Sequence, residues 1–276
     1  MSLPDAPRLL STVPSSTTIS LTEASFGLNG RLLAVAGEGA VRVWDLAELS
    51  RPRRVVTMSL RKGATVRSIA LAPDGRTVIA AFVQDHSLVF DISDRMRPRR
   101  IGQLPKTTGT VAYSPDGRTL AVGDRDGSLR LYDVFKSQIP KALGPAVNGH
   151  GSLMSSIAYA ADGRLLVTGS RDRSTIIWDL NDPVAPVRVG APLTAQSGGV
   201  FAVAISADKS KAVAGSSDGT IVVWNLDDRA RPTLRDALVT SAKEVIWGLA
   251  VSPDGGTLAT VGDDGSATLW DTSGKG

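Results

Sequence analysis

The chain has 276 residues, a formal net charge of +4 and no cysteine. Without a thiol it cannot form disulfides, thiolate metal sites, cysteine nucleophiles or iron–sulfur clusters. Hydrophobic residues make up 42% of the chain and charged residues 21%, which is typical of a globular protein that buries a core. The first residues lack the pattern of a secretory signal, and the apolar stretches are too short to span a bilayer. We therefore expect a soluble, cytoplasmic protein without a membrane partner.

Two short markers recur six times along the chain. The first joins an aromatic residue to an acidic or amide residue, at intervals of 46, 42, 46, 46 and 46 residues, and comprises Trp44-Asp45, Phe90-Asp91, Tyr132-Asp133, Trp178-Asp179, Trp224-Asn225 and Trp270-Asp271. The second marker is a turn that keeps the same phase, at Asn29-Gly30, Asp74-Gly75, Asp116-Gly117, Asp162-Gly163, Asp208-Lys209 and Asp254-Gly255. Two markers in one phase indicate tandem copies of a single structural unit.

Each unit has the pattern of four short strands. In the third unit the predicted order is a strand at 110–114, a turn at 115–118, a strand at 119–122, a turn at 126–128, a strand at 129–134 and a more variable fourth strand. Proline, aspartate and glycine in the first turn favour a tight hairpin. Strands of four to six residues between regularly spaced turns predict an all-β protein.

These features together resemble the WD-repeat family: the short apolar first strand, the SPDGR turn, the small-residue second strand, the DGS turn and the closing aromatic–acid pair. The resemblance covers essentially the whole chain and implies a WD-repeat β-propeller of four-stranded blades. The connections at 91–100 and 179–188 resemble those of bacterial WD-repeat regions. Such regions often follow an enzymatic or regulatory domain in a longer chain.

The two ends of the chain suggest how the ring closes. The last unit stops after its third strand, and residues 7–13 resemble residues 52–58, the predicted fourth strand of the first unit. We expect the N-terminal segment to complete the last blade, because an unpaired strand edge is a liability. Six periods of 46 residues make up residues 1–276 as one domain with six blades. The alternative is a fragment of a seven-bladed or larger propeller.

The resemblance also assigns a buried structural network to the fourth unit. It consists of His150, Thr168, Asp172 and Trp178, and its purpose is to satisfy polar groups between strands. A Ser-His-Asp set could be assembled around His150 and Asp172, but the repeat already accounts for both residues. His86 lies far from His150 in the repeat, and neither phosphate-binding motifs nor clustered metal ligands are evident. The sequence predicts no enzyme, no cofactor and no metal site.

Partners of such propellers often dock on the face formed by first-strand entrances and second turns. Counting back from the first turn places Thr22, Arg67, Gly109, Ser155, Phe201 and Trp247 at the entrances, and the residues before the turn acids add Arg125, Arg171, Ser217 and Asp263. Arginine and large aromatic residues dominate interface energies. The candidate partner-binding residues are therefore Arg67, Arg125, Arg171, Phe201 and Trp247. Alternatively, the two aromatic side chains wedge between blades and the arginines are merely solvated.

The opposite face is predicted to be basic. Arginines cluster at 51–54, 95–100 and 229–231 and at the first hairpins, in Arg31, Arg76, Arg118 and Arg164. Such a face could attract nucleic acid or an acidic partner. However, Asp94, Asp227 and Asp228 neutralise part of it, and no aromatic platform interleaves the arginines.

The leading hypothesis is a monomeric, non-catalytic scaffold or sensor module that binds other proteins or a domain of the same full-length chain. Binding of nucleic acid or an acidic partner through the arginine-rich face is the alternative. Enzymatic activity is a third possibility, for which the sequence shows no site.

Overall fold

The computed structural model describes residues 21–37, 39–61, 63–83, 85–104, 109–135, 139–239, 244–252, 254–263 and 267–272. Every regular element in these ranges is a β-strand. Within each sheet, strands that follow one another in the chain pair antiparallel. The same ranges contain no helix that could cross a membrane.

The first three sheets follow the first three sequence units. Sheet one contains β1 (Leu21–Gly27), β2 (Leu32–Gly37), β3 (Ala40–Asp45) and β4 (Arg53–Ser59). Sheet two contains β5 (Val66–Leu71), β6 (Thr77–Phe82), β7 (Ser87–Asp91) and β8 (Arg99–Leu104). Sheet three contains β9 (Thr110–Tyr113), β10 (Thr119–Gly123), β11 (Ser128–Asp133), β12 (Lys141–Ala142) and β13 (Val147–Asn148). Its outer strand is split, because β12 and β13 both pair with β11.

The last three sheets repeat the pattern. Sheet four contains β14 (Met154–Tyr159), β15 (Leu165–Ser170), β16 (Thr175–Asp179) and β17 (Val187–Leu193). Sheet five contains β18 (Val200–Ile205), β19 (Lys211–Ser216), β20 (Thr220–Asn225) and β21 (Thr233–Val239). Sheet six contains three described strands, β22 (Ile246–Val251), β23 (Thr257–Gly262) and β24 (Ala267–Asp271). The N-terminal segment expected to complete it, residues 7–13, lies outside the described residues.

The first hairpins of the second to sixth blades share one turn geometry, whereas in the first blade the N–H of Arg31 donates to the carbonyl of Leu28. In the second, third and fourth blades a glycine with φ near +70° donates its N–H to the carbonyl three residues earlier, as Gly117 does to Ser114 at 2.9 Å. Lys209 takes this position in the fifth blade with φ +63° and keeps the same hydrogen bond to Ser206. The hydrogen bond therefore persists where a side chain replaces glycine, although glycine tolerates this backbone better.

The sheets pack face to face around an axis lined by their first strands. The first strands β1, β5, β9, β14, β18 and β22 contact one another in that order. Five buried apolar clusters fill the spaces between successive blades, from the first pair to the fifth. Small residues in the second strand permit this approach, since a Cβ at Gly215 would lie 2.5 Å from Ile246 of the next blade. The predicted all-β, six-bladed β-propeller is confirmed.

The junction between the sixth and first blades differs from the other five. Val261 and Leu269 occupy repeat positions that, in the other blades, face the following blade. Phe26 occupies a repeat position that, in the other blades, faces the preceding blade. All three side chains are exposed. The described residues of these two blades contribute no sixth cluster to the apolar core.

Candidate functional site

The first strands of five blades carry a β-bulge at the same place. Their pairing with the second strand skips one residue, and the skipped residues are Thr22, Arg67, Ser155, Phe201 and Trp247. A bulge leaves its extra residue unpaired in the ladder and redirects its side chain. In the third blade β9 pairs with β10 without such a shift and begins one residue after Gly109. Counting from the turn had therefore selected the bulge position of each of the five blades.

Three of the candidate residues form a continuous stack across neighbouring blades. The guanidinium of Arg171 lies over the ring of Phe201, 5.0 Å from its centroid. Phe201 meets Trp247 edge to face, with the ring centroids 5.0 Å apart and the planes at 89°. The indole N–H of Trp247 donates to the carboxylate of Asp263. Phe201 is half-buried in this stack, whereas Trp247 is 54% exposed.

The remaining two candidates lie on the two blades before that of Arg171. The guanidinium of Arg125 donates to the carbonyl of Val83, 3.3 Å away, and so reaches from the third blade to the second. The Nε of Arg67 is buried and has no hydrogen-bond acceptor among the described residues. Burial and the charges of Arg171 and Arg125 lower the pKa of Arg67. Three positive charges therefore converge beside the aromatic stack.

The other residues at these entrances have smaller roles. The hydroxyl of Ser155 lies within hydrogen-bond distance of the carbonyls of Gly169 and Val200 and so joins the fourth and fifth blades. Gly109 packs against the backbone of Gly123, where a Cβ would not fit. We call the set Arg67, Arg125, Arg171, Phe201 and Trp247 the bulged rim.

The structure brings the four predicted network residues together inside the fourth blade. His150 Nε2 lies 2.8 Å from the hydroxyl of Thr168, which also accepts the indole N–H of Trp178 at 2.9 Å. On the other side of the ring, Nδ1 lies 3.2 Å from Asp172 and 2.9 Å from the hydroxyl of Ser174. The sequence analysis missed Ser174, whose N–H and hydroxyl both donate to Asp172.

The other five blades lack this histidine network, and the sixth and second blades show two different departures from it. In the sixth blade Trp270 donates to Thr260 at 3.0 Å, which repeats the Trp178–Thr168 pair without a histidine. In the second blade Asp85 accepts the N–H of His86 and pairs with Arg61, unlike the turn acids that bond two residues ahead. The turn acids of the first and sixth units, Glu38 and Asp264, lie outside the described residues.

The opposite face holds one feature that the sequence analysis missed. Phe135 is 65% exposed, and the guanidinium of Arg118 lies over its ring, 4.8 Å from the centroid. The connection after β11 brings Phe135 beneath Arg118, a contact that the sequence did not predict. A cavity of about 590 Å³ beside them is lined by residues of both charges, including Arg164, Asp116 and Asp162.

Comparisons with known proteins agree with this architecture. The family model WD40, described as "WD domain, G-beta repeat", matches residues 106–133, 144–179, 187–225 and 236–271, just over half of the chain. The fold is similar to the crystal structure of the β-propeller domain of Cps50 (Swd1) from Myceliophteria thermophila, with a TM-score of 0.77 and 21% sequence identity over 92% of this chain and 83% of that chain. A search of curated proteins gave no match. The chain belongs to the WD40-repeat family.

Proposed function

We propose that this chain is a non-catalytic scaffold or sensor module that holds a protein partner on the bulged rim. WD40 propellers generally mediate protein–protein interaction and scaffolding. The observation that carries the proposal is Trp247, an indole that is 54% exposed yet fixed in place by Phe201 and Asp263. An exposed tryptophan beside arginines is the composition of an interface hot spot.

Three side chains of the bulged rim are already held in place by contacts with one another, which favours binding. Phe201 is held between Arg171 and Trp247, and the indole of Trp247 is oriented by its hydrogen bond to Asp263. Side chains that are already ordered lose little conformational freedom on binding. The rim is thus pre-organised to receive a partner.

A catalytic role for His150 is disfavoured by its hydrogen bonds. Both ring nitrogens lie within hydrogen-bond distance of side chains that themselves belong to the network, Thr168, Asp172 and Ser174. The ring is buried inside the blade, where a substrate could not reach it. We therefore assign His150, Thr168, Asp172 and Trp178 a structural role.

The basic opposite face is a weaker docking candidate. Asp116 and Asp162 line the same cavity as Arg118 and Arg164, so the local charge is mixed. Asp162 is moreover paired with Lys209 at 2.7 Å. We accordingly place the partner, another protein or a domain of the same full-length chain, on the bulged rim. We also propose that residues 1–276 form one domain and act as a cytoplasmic monomer.

Affinity capture from a native lysate tests the proposal. We expect the double variant Phe201→Ala/Trp247→Ala to lose the captured protein, with a decrease in affinity of about 30-fold or more, since truncating a hot-spot residue costs about 2 kcal/mol or more. The matched control is Met96→Ala, which removes another exposed apolar side chain, 87% exposed and outside the rim. Both variants should keep the thermal unfolding of the unmodified chain. Equal capture by the double variant and the control would reject the rim as the docking site.

A further inference from the structure

We infer that Arg67, Arg125 and Arg171 form a site for the carboxylates of an acidic peptide segment in the protein partner. The inference rests on the proposed docking at the bulged rim and names the chemistry that the rim selects.

The three arginines reach one place from three successive blades. Arg67 is the bulge residue of β5, Arg125 lies in the turn between β10 and β11, and Arg171 lies in the turn between β15 and β16. Arg125 donates to the carbonyl of Val83, whose own N–H donates to the carbonyl of Thr65, two residues before Arg67. The charges of Arg171 and Arg125 both lower the pKa of Arg67. Like charges brought together in this way repel one another, and an anion relieves the repulsion.

Arg67 also has an unmet hydrogen-bonding need. Its Nε is buried without an acceptor among the described residues. A guanidinium has five N–H donors in a fixed planar fork, and a buried donor without an acceptor costs stability. A ligand carboxylate would supply the acceptor that the described part of the protein does not.

None of the three arginines forms an ion pair with an acidic residue of the described part of the chain. Other arginines pair with aspartates, as Arg31 does with Asp45 and Arg99 with Asp91. The nearby turn acid Asp172 is committed to the N–H groups of Gly151 and Ser174 and to the His150 ring. The positive charge of the rim is thus left for a ligand.

The neighbouring aromatic stack indicates a peptide as the source of the carboxylates. Arg171 belongs to both groups, because its guanidinium packs over Phe201, which in turn contacts Trp247. Charged and apolar contact surfaces are therefore continuous. Guanidinium groups pair with carboxylates through two parallel hydrogen bonds, and three of them suit several acidic residues carried on one segment. A segment in which glutamates or aspartates precede a large apolar residue matches this arrangement.

Fluorescence anisotropy with a labelled synthetic peptide, a run of glutamates followed by a tryptophan, tests the inference. We expect the triple variant Arg67→Gln/Arg125→Gln/Arg171→Gln to bind on the order of a hundredfold more weakly than the unmodified chain, since removing one partner of a charge-paired contact weakens binding strongly. The control triple Arg51→Gln/Arg97→Gln/Arg229→Gln removes the same charge from exposed sites off the rim and should bind as the unmodified chain does.

Two further peptides test whether carboxylates are the groups that the arginines recognise. The same peptide with glutamines should not bind, and a peptide of equal charge bearing phosphoserine should bind no more tightly than the glutamate peptide. Equal loss in both triple variants, binding of the glutamine peptide, or binding of the phosphoserine peptide alone would overturn the inference.

The rim proposal and the acidic-segment inference fail separately. If Phe201→Ala/Trp247→Ala abolishes capture of the natural partner while the rim triple variant retains it, the rim proposal stands and the inference is wrong. If neither variant loses the partner, both are wrong. Loss in both variants, with unchanged thermal unfolding, supports both.

Discussion

His150 is held on both sides of its ring within the fourth blade. This environment suits the neutral imidazole. On one side, the indole N–H of Trp178 donates to the hydroxyl of Thr168, and that hydroxyl can donate to Nε2 of His150. On the other side, the Nδ1–H of the ring can donate to Asp172 or Ser174. Burial lowers the pKa of His150 below its ordinary value of 6.5, although Asp172 acts in the opposite direction. Protonation of the ring would therefore oppose folding.

The free energy of unfolding should depend on pH because of His150. Below about pH 6.5 the unfolded chain binds a proton at His150 that the folded chain binds only at lower pH, so the free energy of unfolding falls as pH decreases. In His150→Gln this contribution disappears. The variant should also be less stable at neutral pH, by about 1–3 kcal/mol, because a buried network loses its central partner. Urea unfolding at several pH values measures both effects.

Glu23 has the opposite pH dependence and must be separated from His150. Burial raises its pKa from 4.5 to about 7, so the folded chain keeps a proton that the unfolded chain releases, and stability falls as pH rises through this range. The comparison is therefore made in a Glu23→Gln background. If His150→Gln leaves the slope of stability against pH unchanged there, the proposed neutral, buried state of His150 is wrong.

At the level of the elements, Lys211 ties the second strand of the fifth blade to the sixth blade. This lysine is 9% exposed, and its ammonium group donates to the carbonyl of Gly255 at 2.7 Å and of Thr272 at 2.9 Å. The contact joins β19 to the first hairpin and the end of the following blade. It supplements the apolar cluster between these blades, which, among the described residues, has fewer buried members than the clusters before it.

We expect Lys211→Met to lower the free energy of unfolding by about 1–3 kcal/mol. Methionine retains an unbranched apolar stem, but two buried carbonyl groups lose a charged donor. Lys209→Met provides the control two residues earlier on the same hairpin. Its ion pair with Asp162 is partly exposed, so its loss should cost about 1 kcal/mol or less. Equal destabilisation in chemical denaturation would contradict the bridging role of Lys211.

In the third blade the sequence predicted the inner three strands better than the outer strand. The inner strands carry the apolar pattern and end at tight turns, so their spacing is fixed by local chemistry. The outer strand has mostly exposed side chains, and in the third blade it divides into β12 and β13. Without an apolar face to set its register, its position is determined by pairing with β11 rather than by its own residues.

At the scale of the whole molecule, the described residues leave large apolar side chains exposed at the junction of the sixth and first blades. Phe26 on the first blade and Val261 and Leu269 on the sixth are exposed at positions whose counterparts elsewhere pack between blades. An uncovered sheet edge or apolar face invites association with other chains. The N-terminal strand proposed from the sequence would add a partner at this end of the propeller.

Deletion of residues 1–14 tests that closure. We expect the shortened chain to melt at least about 5 °C lower or to form oligomers, because the last blade loses its outer strand. Differential scanning fluorimetry and light scattering measure the two outcomes. An unchanged melting temperature in a monomeric chain would show that these residues do not close the ring, and would favour the alternative of a fragment of a larger propeller.

The sequence by itself determined the number of units, the strand order within each unit and the positions of the turns. These features are repeated locally, so six copies of one pattern are enough to define them. Even the bulge residues Arg67, Phe201 and Trp247 follow from counting, because each lies at a fixed distance from its own turn.

Only the tertiary structure decided which side chains meet across blades. Arg125 and Arg171 lie in turns of different units, and nothing in their local sequence indicates that both reach Arg67. The same holds for the Arg171–Phe201–Trp247 stack and for Phe135 beneath Arg118. The physical reason is that these contacts depend on the rotation between neighbouring blades and on side-chain direction at a bulge, which the packing of the whole propeller sets.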